Sequence, residues 1–298
     1  VTSVILALDI GGTKIAAGRV AEGIVLDRRE VPTPAREGPQ AVIRTALSLL
    51  DDWKPGAVGL GVASGGVIHR GRVIHANPRV LPDWEGLDLR AVFRATTGLP
   101  VEVLNDAQAG AWGEYRYGAG RGLESVAFVT VSTGIGAGLV LEGRLLLGTA
   151  GLAGHLGHTV CDPQGEACGC GRRGCLETVA SGMALAEAGR RRFGVPLDAR
   201  MVLERAREGE AEACALVDHA AMALAQALGD LQALLDPEVV VVGGGIGLNP
   251  FYRERLEAAV ARLPTPFRPR LRPSALGSDA GLLGAADWVR RQAAPPPR

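Results

Sequence analysis

Apolar positions along the chain follow two rhythms. Unbroken or alternating apolar runs bounded by glycine mark strands, and apolar residues three and four apart mark helices. Residues 4–9 form a first strand, and DIGGTK turns sharply out of it. IAAGRVAEGIVLDRREV predicts two strands joined around Glu22-Gly23. Gln40–Trp53 has helical spacing, Ala57–Ala63 reads as a strand and Leu87–Thr97 as a helix. Val101–Leu104 is a short buried strand with a helix from Asp106 onward. After the glycine-rich GAGRG at 118–122, SVAFVTVSTGIGAGLVLEGRLLLG predicts two hairpin strands flanking Gly134–Gly138. Helices are expected over 182–193, 198–208 and 210–235, then a strand and turn in VVVVGGGIG. Asp279–Arg291 reads as a closing helix, and QAAPPPR as a frayed tail. Strands and helices mix in both halves, which predicts an α/β fold.

Length turns this pattern into an expected organisation. A chain of 298 residues with 47% hydrophobic content can bury one large core or two. The glycines at 118–122 are a plausible hinge. We therefore expect a smaller α/β domain over 1–117 plus 279–298 and a larger one over 118–278. Lys+Arg and Asp+Glu both number 32, so the net charge is zero, and no basic footprint for nucleic acid is present. The apolar runs are strand-sized, far short of the ~20 residues that span a bilayer. VTSVILALDI lacks a basic flank and a small-residue cleavage site, so it reads as a strand and not as a signal peptide. A cytoplasmic protein is expected. The five cysteines are an odd count, which argues against a secreted disulfide framework. Lys14 and Lys54 are the only lysines, a bias we read as compositional.

Three strand-to-turn junctions share one design: LALDIGGTK (6–14), VTVSTGIGAG (129–138) and VVVVGGGIG (239–247). Each could be an ordinary tight turn. Each could also let backbone N–H groups approach an anion closely. Together they point to nucleotide phosphates, with Gly11, Gly12, Thr13, Lys14, Thr133, Gly134, Gly244 and Gly245 as candidate contacts. Asp9, at the end of the first strand, is placed to hold Mg2+ through water. No Gly-Lys dipeptide exists for a P-loop. The one G-x-G-x-x-G, Gly169 to Gly174, lies among cysteines and not after a strand, so nicotinamide chemistry is excluded.

VEVLNDAQAGAW (101–112) leads a strand directly into Asn105-Asp106. Open α/β sheets place ligands at this end of a strand. Asp106 could simply cap the helix. Beside phosphate-binding turns it could instead be a general base that takes the proton of an attacking hydroxyl. GHLGHTVCDPQGEACGCGRRGCLE (154–177) is the densest cluster of metal-binding side chains. One imidazole and three thiolates would fill a tetrahedral site and leave no position for water, which is the pattern of structural zinc. A reduced cysteine-rich loop is the alternative. Cys161 and Cys214 are expected to be packing residues.

DIGGTK, the LNDA segment, STGIGAG and the GHxxxxxxxxxCxCGxxGCxE block occur in this order in the ROK (repressor, open reading frame, kinase) family, which the chain resembles from Asp9 to the closing helix. The resemblance implies the two-domain actin-like, hexokinase-like ATPase fold, built of ribonuclease H-like repeats around an interdomain cleft. It implies ATP and Mg2+ as cofactors, with structural Zn2+ on His158, Cys168, Cys170 and Cys175. Sugar contacts carried over are Ser64, Gly65, Asn77, Asn105, Asp106, His158 and Glu177, with Asp106 catalytic. Only eight residues precede Asp9, so we expect a kinase and not the helix-turn-helix repressor branch. A sugar-responsive regulator without chemistry is the second reading, disfavoured by Asp106. The resemblance also implies a homodimer or homotetramer, with sugar and ATP as its small-molecule partners and no nucleic acid or membrane.

One position departs from the family's common Glu-x-Gly-His pattern. Here it reads His155-Leu156-Gly157-His158. An imidazole can donate one hydrogen bond and accept another, whereas a carboxylate only accepts. His155 and the residues around it, with NDAQAGAWGEY, resemble the N-acetylmannosamine kinases of the family. This implies transfer of phosphate from ATP to the 6-hydroxyl of N-acetylmannosamine, with glucose or another hexose or hexosamine as the alternative acceptor.

Overall fold

The computed structural model describes residues 3–293 of the chain, and the tail from 294 lies outside them. The chain divides into two compact units: Val1–Gly122 with Leu145–Gly154 and Ser278–Arg298, and Leu123–Arg144 with His155–Gly277. Residues 145–154, expected in the second domain, thus group with the first unit.

In the first unit, β1 (Val4–Ile10) pairs antiparallel with β2 (Lys14–Ala21), and β2 with β3 (Ile24–Pro32). Glu22 and Gly23 join β2 to β3 with φ of 51° and 78°, a turn hand that suits the right-handed twist of strands. Helix α1 (Pro39–Ser48) is shorter than the sequence predicts. Arg29 explains the early stop: its Nη1 donates to the Leu49 carbonyl at 3.0 Å, and its guanidinium lies 4.0 Å from the Trp53 ring centroid. The side chain thereby takes up a carbonyl at the helix end and seats the following turn.

Strand β4 (Ala57–Ser64) runs parallel to β1. It is followed by a small hairpin, β5 (Val67–His69) and β6 (Arg72–His75), which the sequence pattern did not predict. Helix α2 (Leu89–Thr97) is capped by Asp88, whose carboxylate accepts from Ala91 N at 2.9 Å. Strand β7 (Val101–Asn105) lies parallel to β4 and feeds α3 (Asp106–Tyr117). The sheet order is β3-β2-β1-β4-β7. Leu6, Leu8, Val62, Trp84 and Phe93 are part of its buried core.

The closing helix, Ala280–Ala293, packs on this sheet and on α3 at backbone distance. A Cβ at Gly284 would overlap the carbonyl oxygen of Ala109, one at Gly113 that of Ala280, and one at Gly61 that of Ala285. Farther along, the buried carboxylate of Asp287 accepts from Trp112 Nε1 at 2.9 Å and from the Tyr117 hydroxyl at 2.5 Å.

The second unit opens with β8 (Val126–Val131) and β9 (Ile135–Leu141), followed by β10 (Arg144–Leu145). The hairpin turn is Ser132–Gly134. Gly136 and Gly138, expected in the turn, belong to β9, where they pair with Thr130 and Phe128. Helices α4 (Glu177–Ala180), α5 (Gly182–Phe193), α6 (Ala199–Arg207) and α7 (Ala211–Leu235) come next, then β11 (Val239–Gly243). Helix α8 (Pro250–Ala261) was missed in the sequence, although Asn249-Pro250 is a start signal. Asn249 Oδ1 accepts from Phe251 N and Tyr252 N. Strand β12 (Leu271–Pro273) completes the sheet β10-β9-β8-β11-β12, with β8, β11 and β12 parallel. Each unit therefore has a first strand with a hairpin on one side and two parallel strands on the other. Among the described residues, no helix is long and apolar enough to cross a membrane.

Gly284→Ala should test the helix contact. The added methyl must push α3 away or distort its backbone, at a cost of about 1–3 kcal/mol. Thermal denaturation should show the drop, whereas Gly245→Ala, which meets nothing within 4 Å, should leave the midpoint nearly unchanged. Equal midpoints for the two variants would show that the helices separate without cost.

Candidate active site and metal centre

The parallel register of the first sheet sets its candidate residues side by side. Ile10 pairs with Ser64, and Ser64 with Asn105. Asp9, the Gly11-Gly12 turn, Ser64-Gly65 and Asp106 thus share the carboxyl edge of three adjacent strands. Asn105, not Asp106, is the N-cap of α3: its Oδ1 accepts from Ala107 N at 3.0 Å and Gln108 N at 3.1 Å. Its Nδ2 donates to Gly66 O and to Asp106 Oδ1, both at 2.9 Å. Asp106 Oδ1 also accepts from Ala107 N at 2.8 Å. One carboxylate oxygen is thereby oriented by two donors, an arrangement that suits a base at a helix N-terminus.

Asp9 lies close enough to Asp106 for their charges to interact. Burial, and then the Asp106 charge, raise its carboxyl to about 7, against smaller opposing effects of Lys14 and Arg28. The Cβ position at Gly281 lies 2.8 Å from Asp9 Oδ2, so glycine opening the closing helix is what leaves room for the acid. Two carboxylates forced together fit a hard divalent cation such as Mg2+, which takes oxygen ligands. The neighbouring glycines serve packing. A Cβ at Gly12 would overlap Val80, and Gly11 N donates to Lys14 O at 3.0 Å. Thr13 is exposed, and Lys14 pairs with Glu30 at 2.9 Å. Ser64 Oγ accepts from the indole of buried Trp84 at 3.0 Å, a partner that sequence reading did not signal. Asn77 Oδ1 accepts from Arg79 N at 3.0 Å.

In the second unit, β8 and β11 are adjacent and parallel, with Gly243 beside Thr130. The turns at 132–134 and 244–247 therefore leave the same sheet edge. Ile246 N and Gly247 N donate to Val131 O, and the first amides of α5, Gly182 N and Met183 N, donate to Ser132 O and Thr133 O. Gly244 has φ of 83°, and a Cβ there would overlap Val131 O, so only glycine fits. Thr133 and Gly245 are exposed. Glu177, expected against a sugar, is tied to the 132–134 turn: its Oε2 accepts from Ile135 N at 3.1 Å and lies 2.5 Å from the Gly134 Cβ position. Burial raises its carboxyl, with the Ile135 amide opposing.

His158, Cys168, Cys170 and Cys175 converge, with ligand atoms all within 4.8 Å of one another. Cys170 Sγ lies 3.6 Å from Cys175 Sγ, and Cys168 Sγ lies 3.6 Å from His158 Nδ1. A tetrahedral zinc with Zn–S bonds of ~2.3 Å needs sulfur atoms about 3.8 Å apart, so the spacing fits. Burial, and then hydrogen bonds with Cys170 and Cys168, push the Cys175 thiol up to about 12. A cation at the centre would reverse that cost. With Nδ1 facing the metal position, Nε2 lies across the ring. The His155 ring is outside the four-ligand group, its centroid 6.2 Å from that of His158. Cys161 is exposed and not packed as expected, because its turn lies at the surface of the loop. Cys214 is partly buried and donates to Ala206 O at 3.2 Å.

Comparison with known proteins places these features in context. The ROK family profile matches residues 5–292. The N-acetylmannosamine kinase of Citrobacter koseri is 42% identical over 282 residues, covering 94% of this chain and 97% of its own. That of Yersinia pestis is 43% identical over 288 residues, covering 96% and 98%. A ROK family glucokinase from Streptomyces griseus, solved in complex with glucose and AMPPNP, superposes with a TM-score of 0.87 at 32% identity, covering 97% of this chain and all of its own. A ROK hexokinase from Thermus thermophilus gives 0.83 at 37% identity over 98% and 100%.

Two predictions arise from this geometry. Cys170→Ser should lower bound zinc well below one equivalent per chain in elemental analysis, and lower the thermal midpoint with it. An unchanged midpoint in metal-free protein would overturn a structural zinc. For Asp9, the folded value of about 7 exceeds the ordinary 3.8. Between those values the unfolded chain binds fewer protons, so this group makes stability fall as pH rises and level off above about 7. Asp9→Asn should remove that slope. The difference in denaturation midpoint between wild type and variant should therefore grow from pH 4 to pH 7, in favour of the variant. Mg2+ should stabilise wild type more at pH 8 than at pH 5.

Proposed function

This chain belongs to the ROK family, and from that premise we propose that it is an ATP-dependent kinase that phosphorylates the 6-hydroxyl of N-acetylmannosamine. The observation that carries the chemistry is Asp106. Asn105 is the N-cap, and the carboxylate of Asp106 that follows is oriented by the Asn105 amide and the Ala107 N–H. As base, Asp106 would take the 6-hydroxyl proton while the oxygen attacks the γ-phosphorus. Asn105 acts through Asp106, since both its amide hydrogens and its oxygen are engaged within the protein.

The choice of acceptor rests on the name carried by relatives more than 40% identical over nearly the whole chain and on His155. Its imidazole can both donate to and accept from an N-acyl group. Ser64, Gly65 and Asn77 of the first unit, and His155, His158 and Glu177 of the second, are the remaining proposed sugar contacts. Asp9, Gly11, Gly12, Thr13 and Lys14, with Thr133, Gly134, Gly244 and Gly245, are proposed to meet the nucleotide and its metal. Mg2+ beside Asp9 would neutralise phosphate charge. Zn2+ on His158, Cys168, Cys170 and Cys175 would fix the loop and leave the His158 Nε2–H as a donor. The protein is proposed to work in the cytoplasm as a homodimer or homotetramer.

ADP release measured with N-acetylmannosamine, N-acetylglucosamine, glucose, mannose and fructose tests the reading. N-acetylmannosamine should give the highest kcat/KM, and a higher value for glucose would assign the chain to the glucokinases instead. Asp106→Asn should lower kcat by about 10²–10⁴ while calorimetric sugar binding changes far less. Near-normal turnover in that variant would remove the base assignment.

A further inference from the structure

Two residues beyond Asp106, Gln108 makes a contact that neither capping nor phosphate transfer requires. It is fully buried. Its Nε2 donates to Ala153 O at 3.1 Å and Gly151 O at 3.4 Å. Both carbonyls lie in the segment 147–154 that runs into His155. That segment is folded on itself by Ala153 N donating to Leu147 O at 3.3 Å, and it is seated on β5, since a Cβ at Gly151 would overlap Ile68 O. The two carbonyls fix which end of the amide faces them, because an oxygen there would meet two acceptors. Gln108 Oε1 then points elsewhere. It is buried and has no hydrogen-bond partner among the described residues. A leucine would fill much of the same space without that loss. The side chain is therefore poorly explained as packing and well explained as a clamp.

We propose that Gln108 is a positioning residue for acceptor choice: its amide holds the Gly151–Ala153 main chain that delivers His155, and so sets the preference for an N-acylated sugar. The proposal rests on the reading above that His155 meets the acyl group. Helix α3 thereby carries the base and, two residues on, the grip on the segment leading to the residue that reads the acyl group. Gln108 itself need not touch the sugar.

The test is the ratio of kcat/KM for N-acetylmannosamine to that for mannose, which lacks the acyl group. It is measured on wild type, Gln108→Glu and Gln108→Asn. Glutamate keeps the size but sets a carboxylate against two carbonyls. Asparagine keeps the amide but retracts it by one methylene, and it is the milder variant should glutamate fail to fold. The ratio should fall about 10-fold or more, the loss expected from removing two neutral hydrogen bonds, with the KM for ATP unchanged. In a His155→Ala background, Gln108→Asn should leave the ratio where His155→Ala alone puts it, because the clamp acts through His155. A parallel fall for both sugars, or an unchanged ratio, would overturn the proposal and leave Gln108 a packing residue. If wild type itself shows no preference for the acylated sugar, the acceptor assignment fails first and the clamp's role with it. A wild-type preference that survives both substitutions sinks the clamp alone.

Discussion

The first unit depends on how closely its last helix approaches the rest. At Gly61, Gly113 and Gly284 the main chains of β4, α3 and the closing helix come so near that no Cβ fits between them. Such contact excludes water and leaves few rotamers to order, so it fixes the relative position of three elements tightly. It also constrains the sequence. Helix α3 must be lined with Ala109 and Gly113, and the closing helix must begin with small residues. The acids inherit this precision. Asp106 is the first residue of the clamped helix, and Asp9 fits only because Gly281 lacks a side chain. The placement of both carboxylates is therefore set by a segment remote from each of them in sequence.

Topology does the rest. Parallel strands all end at one edge of their sheet, and short strands bring their following turns together there. The first unit uses this for Asp9, Ser64 and Asn105. The second uses the same strand order to bring the turns after β8 and β11 together, closed by amides at the start of α5. Burial, and then the charge of Asp106, raise Asp9. A divalent cation bound there would offset both costs, so cation affinity and the raised Asp9 of the ligand-free protein would be two sides of one electrostatic cost.

Legibility from sequence followed locality. Runs such as VILALDI, VAFVTV and VVVVG are buried on both faces and could be recognised without knowing their neighbours. The family resemblance singled out His158, Cys168, Cys170 and Cys175, whose Cys-x-Cys spacing is tighter than the usual zinc pattern, and the structure brings their ligand atoms within 4.8 Å of one another. Where a distant residue decides, the sequence was silent. Arg29 shortens α1 from across the fold, and Trp84 supplies the Ser64 partner from twenty residues away. The hold of Glu177 on the 132–134 turn, through the Ile135 amide and beside Gly134, was likewise not marked in the sequence. The hairpin at 67–75 was hidden because its strands are three and four residues long, too short for an alternating pattern to show. Helix α8 was different: Asn249-Pro250 marks its start plainly, but only Tyr252, Leu256 and Val260 are buried along it, so its apolar stripe is thin.

The loop between His158 and Glu177 shows why a metal suits this position. Nearly twenty residues pass with only isolated bridges, Val160 to Cys175 and Ala167 to Arg173. Its buried side chains are few, and two of them are Cys168 and Cys175. A segment of this kind cannot bury enough apolar surface to offset the entropy of ordering it. Hydrogen bonds alone are worth too little, each about 1 kcal/mol net. A four-coordinate cation would concentrate the missing stabilisation at one point, from candidate ligands at both ends of the loop. The next residue after Cys175 and Leu176 is Glu177, whose carboxylate closes on the turn that follows β8. Order imposed by a metal there would pass within two residues to a sheet edge and give a sparse surface loop a fixed place in the architecture of the second unit.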